Sequence, residues 1–193
     1  MALQLTEPPV LNATQIISDA KCNGASDGKI DVTTVGGVTP YKYLWSNGFT
    51  TEDLTGIKAG TYDLTITDKN GCTFKLQAVV NEPDLLTLVL KKDTVNCAGS
   101  SSGTALSITT GGTEPYTYLW SNGSTQPSVN GLPAGTYTLV VTDKNGCKAN
   151  ATTTLNEPAK LSPSAKIVDV NCNAGKDGSI DRKSTRLNSS HVD

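Results

Sequence analysis

The sequence predicts an all-β protein built as a tandem array of small antiparallel β-sandwiches. Three observations predict it. The cysteines Cys22, Cys72, Cys97, Cys147 and Cys172 are spaced 50, 25, 50 and 25 residues apart, so the chain repeats with a period of 75. Within each repeat, apolar residues alternate with polar ones, the mark of strands with one buried face, and no helical period is present. Turn-forming Gly, Pro, Asn and Asp interrupt these runs about every 8–12 residues, the spacing of an antiparallel sandwich.

Other landmarks keep the same period. Glu7-Pro8 recurs as Glu82-Pro83 and Glu157-Pro158, Tyr43-Leu44-Trp45-Ser46-Asn47-Gly48 as Tyr118 to Gly123, and Ala59-Gly60-Thr61-Tyr62 as Ala134 to Tyr137. Thr67-Asp68-Lys69-Asn70-Gly71-Cys72 recurs unchanged as Thr142 to Cys147. The expected organisation is the end of a repeat at 1–8, whole repeats at 9–83 and 84–158, and the truncated start of a third at 159–181. Met1-Ala2-Leu3-Gln4-Leu5 has neither the charged nor the apolar region of a signal peptide. That absence is read as truncation of a longer array.

Each element then has a local reason. Lys29-Ile30-Asp31-Val32-Thr33 alternates as a strand. Gly36-Gly37 and Pro40 mark a loop, and Tyr41, Tyr43 and Trp45 fall on one face of the next strand. Ser46-Asn47-Gly48 marks another turn. From Gly60 to Asp68, Tyr62, Leu64 and Ile66 share a face, as Tyr137, Leu139 and Val141 do one repeat later. Threonines and β-branched residues suit such half-buried pleated surfaces. Asp68-Lys69-Asn70-Gly71 offers an Asx-type start and residues that tolerate positive φ, which suits a tight hairpin. A repeat of 75 residues is small for seven strands, so a trimmed immunoglobulin-like or PKD-like sandwich is expected, with units strung as beads.

One offset carries its own expectation. Ile30 lies eight residues after Cys22, whereas Leu106 lies nine after Cys97. An insertion before the strand and a deletion after it would keep the apolar set facing inward, because a one-residue shift reverses every side chain. On that reading Leu106 and Ile108 face the core, and Ala105 and Ser107 do not.

Composition excludes several function classes. The 193 residues carry 16 Lys and Arg against 18 Asp and Glu, which leaves no basic footprint for nucleic acid and no polybasic membrane patch. No apolar run reaches the roughly 20 residues of a transmembrane helix. With one histidine there is little scope for acid–base or zinc chemistry. No cofactor, no nucleic-acid partner and no membrane span are expected. The segment 182–193 is foreign in composition: Arg182, Arg186 and His191 all lie in it. Ile180-Asp181 continues as Arg182-Lys183-Ser184-Thr185-Arg186, with no apolar alternation, where Ile30-Asp31 continues as Val32-Thr33-Thr34. Residues 182–193 are read as a non-native, adapter-derived tail.

One cysteine pair per small repeat suits an oxidising, extracytoplasmic setting, and a marginal core gains from a staple worth about 2–4 kcal/mol. The preferred pairing is Cys22–Cys72 and Cys97–Cys147, with Cys172 unpaired. The alternative is Cys72–Cys97 and Cys147–Cys172, which would bridge successive repeats. A difficulty stands against the first pairing: in a strict immunoglobulin topology the first inter-strand turn and the last hairpin tip lie at opposite ends, too far apart to bond.

Taken together, Cys22-Asn23-Gly24, Asp27-Gly28, Gly36-Gly37, Pro40-Tyr41, Tyr43, Trp45-Ser46-Asn47-Gly48, Ala59-Gly60-Thr61-Tyr62 and Thr67-Asp68 with Asn70-Gly71-Cys72 resemble the SprB repeat of very large adhesins of gliding bacteria. The second repeat departs slightly, with Cys97-Ala98-Gly99 and Ser102-Gly103 in place of Cys-Asn-Gly and Asp-Gly. The resemblance implies type IX secretion, display on the outer surface, adhesion to a substratum or extracellular polysaccharide, and a stalk-like role in gliding. The partners it implies are neighbouring repeats and that substratum.

Each candidate site also has a simpler reading. Gly99-Ser100-Ser101-Ser102-Gly103 matches a nucleophile elbow in form, but it falls between strands and lacks a histidine partner, so no catalytic residue and no enzyme activity are expected. Asp27, Asp68 and Asn70 are weak calcium candidates, for which turn chemistry is the preferred explanation. Trp45 and Trp120 could stack on sugars, but their phase with the tyrosines favours core packing. Polysaccharide binding by the repeats, or attachment of the repeats to a secreted enzyme, are the alternative functions.

Overall fold

The computed structural model describes residues 7–168 and 178–186, the side chains through 183. Among them are fourteen strands and no helix. The first repeat forms β1 (Asn12–Ser18), β2 (Gly28–Val35), β3 (Lys42–Trp45), β4 (Leu54–Ile57), β5 (Gly60–Thr67) and β6 (Thr73–Val80). The second repeats the series as β7 (Thr87–Asp93), β8 (Gly103–Thr110), β9 (Thr117–Trp120), β10 (Ser128–Leu132), β11 (Gly135–Thr142) and β12 (Lys148–Leu155). A hairpin of β13 (Leu161–Val168) and β14 (Ser179–Arg186) follows.

The first repeat closes as two antiparallel sheets, in the orders β1-β2-β4 and β3-β5-β6. This is the immunoglobulin-like division of a short sandwich, with the chain changing layers at β2–β3, β3–β4 and β4–β5. Alternation does what the sequence required. One sheet contributes Ala13, Ile30, Val32, Leu54 and Ile57, the other Trp45, Leu64, Ile66, Ala78 and Val80. Ile30 and Ile66 are wholly buried and Trp45 is 2% exposed. The Trp45 indole N–H donates to the Thr51 carbonyl at 2.9 Å, so the ring is buried without an orphaned donor. The second repeat has the matching orders β10-β8-β7 and β12-β11-β9.

The chain divides into two compact units whose limits are not those of the repeats. The first gathers the described residues up to Thr87 with Thr110–Tyr116 and Thr142–Ala149. The second gathers Leu88–Thr109, Thr117–Val141 and the described residues from Asn150. Its interior holds Val95, Ala105, Trp120, Val129, Leu132, Leu139, Val141 and Leu155.

The offset expected before β8 is absent. Ala105 is 1% exposed, whereas Leu106 is 47% and Ile108 37% exposed, so Leu106 and Ile108 face outward and Ala105, with half-buried Ser107, faces in. Glycine fixes this register. A Cβ at Gly28 would lie 2.7 Å from Val80 Cγ1 and 2.9 Å from the Ile57 carbonyl oxygen. A Cβ at Gly103 would meet Leu155 Cδ1 at 2.7 Å and the Leu132 carbonyl oxygen at 2.9 Å, the same neighbours one period on. The only residue small enough for that close approach sits at the same repeat position in both, and the strand follows it without a slip.

β14 pairs with β13 from Val168↔Ser179 to Leu161↔Arg186, so strand pairing runs through Asp181 into the segment read as a tail. Strand pairing uses backbone groups alone, and β13 exposes every side chain, so this hairpin needs no apolar alternation. One further expectation, the cysteine pairing, is corrected. The expected Cys22–Cys72 and Cys97–Cys147 bonds do not form, nor does Cys72–Cys97. Cys22 bonds Cys147, and Cys72 and Cys97 are free and exposed. Cys172 lies outside the described residues. The reason is strand length. Cys72 immediately precedes β6, while the Cys22 loop is fastened to the residues after it through Ala20 N–H to Asn81 O at 2.9 Å. Eight residues of strand separate those ends, roughly 26 Å at about 3.3 Å per residue, against the 4.4–6.8 Å that a disulfide spans between Cα atoms.

Trp45→Ala is expected to destabilise the first sandwich by about 3–5 kcal/mol in chemical denaturation, whereas Leu44→Ala, on the exposed side of the same strand, stays within about 0.5 kcal/mol. For the register of β8, Ala105→Lys is expected to unfold the second sandwich and Leu106→Lys to leave its denaturation midpoint nearly unchanged. The opposite ranking would restore the offset.

Candidate functional site

Two loop types, each present in both repeats, carry the chemistry of this chain. One is the hairpin turn that ends in a cysteine. Asp68 opens it: its Oδ1 accepts the N–H groups of Asn70 and Cys72, both at 2.9 Å, and its Oδ2 accepts Val38 N–H at 3.0 Å from the neighbouring loop. Gly71 closes it at φ +86°, where a side chain would be strained. Asp143 does the same one repeat later, accepting from Asn145 and Cys147 at 2.9 Å each and from Thr113 at 2.9 Å.

Asp68 and Asp143 are both 5% exposed. Burial by itself would raise each carboxyl. The surrounding N–H groups outweigh it, those of Val38, Cys72, Asn70 and Gly71 for Asp68 and of Thr113, Cys147, Asn145 and Gly146 for Asp143. Both pKa values therefore lie below the ordinary carboxylate value of 3.8. Of the calcium candidates, Asp68 and Asp27 accept backbone N–H groups. Asp68 spends both oxygens on backbone donors, and the Asn70 N–H donates to Asp68. Asp27 Oδ1 accepts the Lys21 N–H at 3.1 Å, and Ser102 Oγ accepts the Asn96 N–H at 2.9 Å in the same place, so that position needs an acceptor and not a charge. Among the described residues no group of three or more His, Cys, Asp or Glu gathers as a metal site.

The second loop type carries the other cysteine. Glu82 clamps it to the end of β6: its Oε2 accepts Gly24 N–H at 2.6 Å and its Oε1 accepts the Asn23 side-chain amide at 3.1 Å. Glu157 Oε2 accepts Gly99 N–H at 2.6 Å in the second repeat. The sequence marked Glu82 and Glu157 only as repeat landmarks. Their periodicity was the signal, and nothing local to Glu-Pro revealed a partner 58 residues away.

Within the first compact unit the two loop types meet. The Asp143–Cys147 turn seats against Lys21–Cys22: Asn145 Nδ2 donates to the Lys21 carbonyl at 2.9 Å and to Thr113 Oγ1 at 3.1 Å. Cys147 Sγ lies 3.4 Å from that same carbonyl, and its bond to Cys22 spans 5.7 Å between Cα atoms. The arrangement is a covalent latch between one repeat and its successor. Trp45 and Trp120 take no part in any surface site. Each is 2% exposed, and the Trp120 indole N–H donates to Gln126 O at 2.8 Å, so neither ring has a face free to stack on a sugar.

A carboxyl whose pKa is lower in the folded than in the unfolded chain contributes stability above about pH 4 that is lost as pH falls through the folded value. Asp68→Asn removes the charge and cannot accept from Val38 at Oδ2. The variant is expected to be less stable at neutral pH and to lose less on acidification, read from denaturation midpoints across a pH series. Parallel acid losses in both proteins would contradict the fastening role.

The SprB repeat family profile matches residues 14–50 and 93–125, one segment in each whole repeat. No curated protein matches the chain. Among solved structures, the N-terminal four Ig domains of Dscam1 isoform 9.44 are similar at 14% identity and TM-score 0.37, over 79% of this chain and 47% of that one. Dpr11 IG1 bound to DIP-gamma IG+IG2 is similar at 11% identity and TM-score 0.32, over 77% and 99%. Domains 4–9 of surface layer protein SbsC are similar at 16% identity and TM-score 0.29, over 94% and 37%. This chain spans about half the length of the Dscam1 chain, 47% of it, and likenesses this distant carry no argument about activity. With its 75-residue period and its paired antiparallel sheets, the chain is similar to the SprB repeat over one segment of each whole repeat.

Proposed function

We propose that this chain is a length of the stalk of a large secreted cell-surface adhesin, whose repeats carry the load between the cell and the surface it attaches to or glides over. The observation that carries the reading is the Cys22–Cys147 bond. It ties a residue of the first repeat to one of the second, 125 positions apart in sequence, so that segment of the chain cannot be drawn out to full length without breaking a covalent bond. Such bonds persist in oxidising, extracytoplasmic settings, which supports export and surface display. The sandwich interiors are filled by side chains, and the exposed loops are spent on turn and clamp hydrogen bonds, which supports a structural, non-catalytic role. Neighbouring repeats and an extracellular polysaccharide or other substratum are the proposed partners. Type IX secretion is the proposed route.

Polysaccharide binding by the repeats themselves is the weaker reading, because the two indoles that would supply stacking platforms are buried.

Fab fragments raised against the purified protein are expected to label intact cells of the producing bacterium and to reduce their attachment and gliding. The purified protein itself is expected to give no hit on a glycan array. Absence of surface labelling would contradict the stalk reading, and a strong glycan hit would turn the assignment to a binding module.

A further inference from the structure

The latch between Cys22 and Cys147 is made of parts this chain holds twice. Cys97 stands 75 residues after Cys22, and Cys72 stands 75 before Cys147. One copy of each part is used in the bond, and the other copy carries a free, exposed thiol. The unused turn, Asp68-Lys69-Asn70-Gly71-Cys72, is identical in sequence to the seated one, Asp143-Lys144-Asn145-Gly146-Cys147. It is held by the same Asp-to-backbone bonds, at 2.9 Å to Asn70 N and Cys72 N.

The unused seat is also formed. Val95 N–H donates to Asn156 O at 3.2 Å where Ala20 N–H donates to Asn81 O at 2.9 Å. Ser100 N–H donates to Cys97 O at 3.1 Å where Ala25 N–H donates to Cys22 O at 3.0 Å. Glu157 clamps Gly99 as Glu82 clamps Gly24, both at 2.6 Å. Beside Cys97 lies an open cleft lined by Asn96, Ala98, Pro158 and Leu161. In the occupied seat the turn reads a backbone carbonyl, that of Lys21, so the change to Asn96 keeps the acceptor. One bond is not reproduced: Val38 stands where Thr113 accepts from Asn145, so Asn70 loses that second acceptor.

We propose that the cleft beside Cys97 receives the Asp68–Cys72 turn of a second copy of this chain and that a Cys97–Cys72 disulfide seals it, joining copies head to tail. The partner is argued from identity: this chain itself carries the pentapeptide that the seat at Cys22 already holds. The contact is heterologous, so each added copy presents a new free seat and a new free turn. A low-molecular-weight disulfide such as oxidised glutathione is the oxidant. The Cys97 thiolate attacks it, forms a mixed disulfide and releases one glutathione thiolate. The Cys72 thiolate of the second copy then attacks the Cys97 sulfur and releases the other. Two protein thiols are oxidised, one oxidised glutathione is reduced to two molecules of glutathione, and the two thiol protons end on them. The inference is independent of the adhesin reading, since it concerns what the chain does with itself.

The test uses the full chain with Cys172→Ser as background, which silences the cysteine outside the described residues. With oxidised glutathione, the background protein is expected to give a ladder of multimers on non-reducing gels. Adding Cys72→Ser or Cys97→Ser is expected to leave each protein monomeric, while an equal mixture of the two gives one dimer whose non-reduced peptide map joins Cys72 to Cys97. Asn70→Ala on the copy that keeps Cys72 is expected to slow dimer formation about fivefold, the loss of one hydrogen bond, with circular dichroism unchanged. The proposal is overturned if the background protein stays monomeric, if it forms a Cys72–Cys97 bond within one chain, if either variant alone dimerises as fast as the mixture, or if Asn70→Ala reacts at the unaltered rate.

Discussion

The length of one strand governs the covalent chemistry of this protein. β6 begins beside Cys72 and ends beside the loop of Cys22, with eight residues between. A pleated strand of that length holds the two sulfurs several times farther apart than a disulfide reaches. β12 has the same length and the same relation to Cys147 and Cys97. Each repeat therefore carries two cysteines that cannot satisfy one another, and each must look outside its own sandwich. The conserved geometry of the two loops, one fastened by aspartate and the other by glutamate, then presents the two thiols in complementary shapes.

That constraint also assigns a purpose to polar residues that would otherwise look decorative. Asp68 and Asp143 give up both carboxylate oxygens to backbone donors, so the turn arrives at its cysteine already shaped. Glu82 and Glu157 pin the receiving loops to the ends of β6 and β12. Preorganisation on both sides lowers the entropy lost when the parts meet. The sandwich cores have a different task. Their buried indoles and aliphatic chains keep the strands at fixed length and register, and so keep the two poles apart.

Much of this was legible in the residues. The 75-residue period, the strands, the hairpin at Asp68 and the inward set of Leu64 and Ile66 follow from alternation and turn chemistry, which are local. Three features were not, for separate physical reasons. At β8 the apolar letters Leu106 and Ile108 pointed to a shifted register, while the decisive constraint was steric room at Gly103, which no hydrophobic pattern encodes. The cysteine partners depend on distance, and sequence supplies spacing without direction. The first pairing is at odds with the expected topology, and the alternative has the right kind of bond, between successive repeats, with the wrong cysteines. The role of Glu82 rests on a partner 58 residues away, beyond any local rule.

Cys22 and Cys147 bond across repeats because neither can reach the other cysteine of its own repeat. Peptide mapping of the unreduced, alkylated protein by mass spectrometry addresses it most directly. The account predicts a fragment joining Cys22 to Cys147, with alkylated Cys72 and Cys97 in the monomer. A fragment joining Cys22 to Cys72 would contradict it.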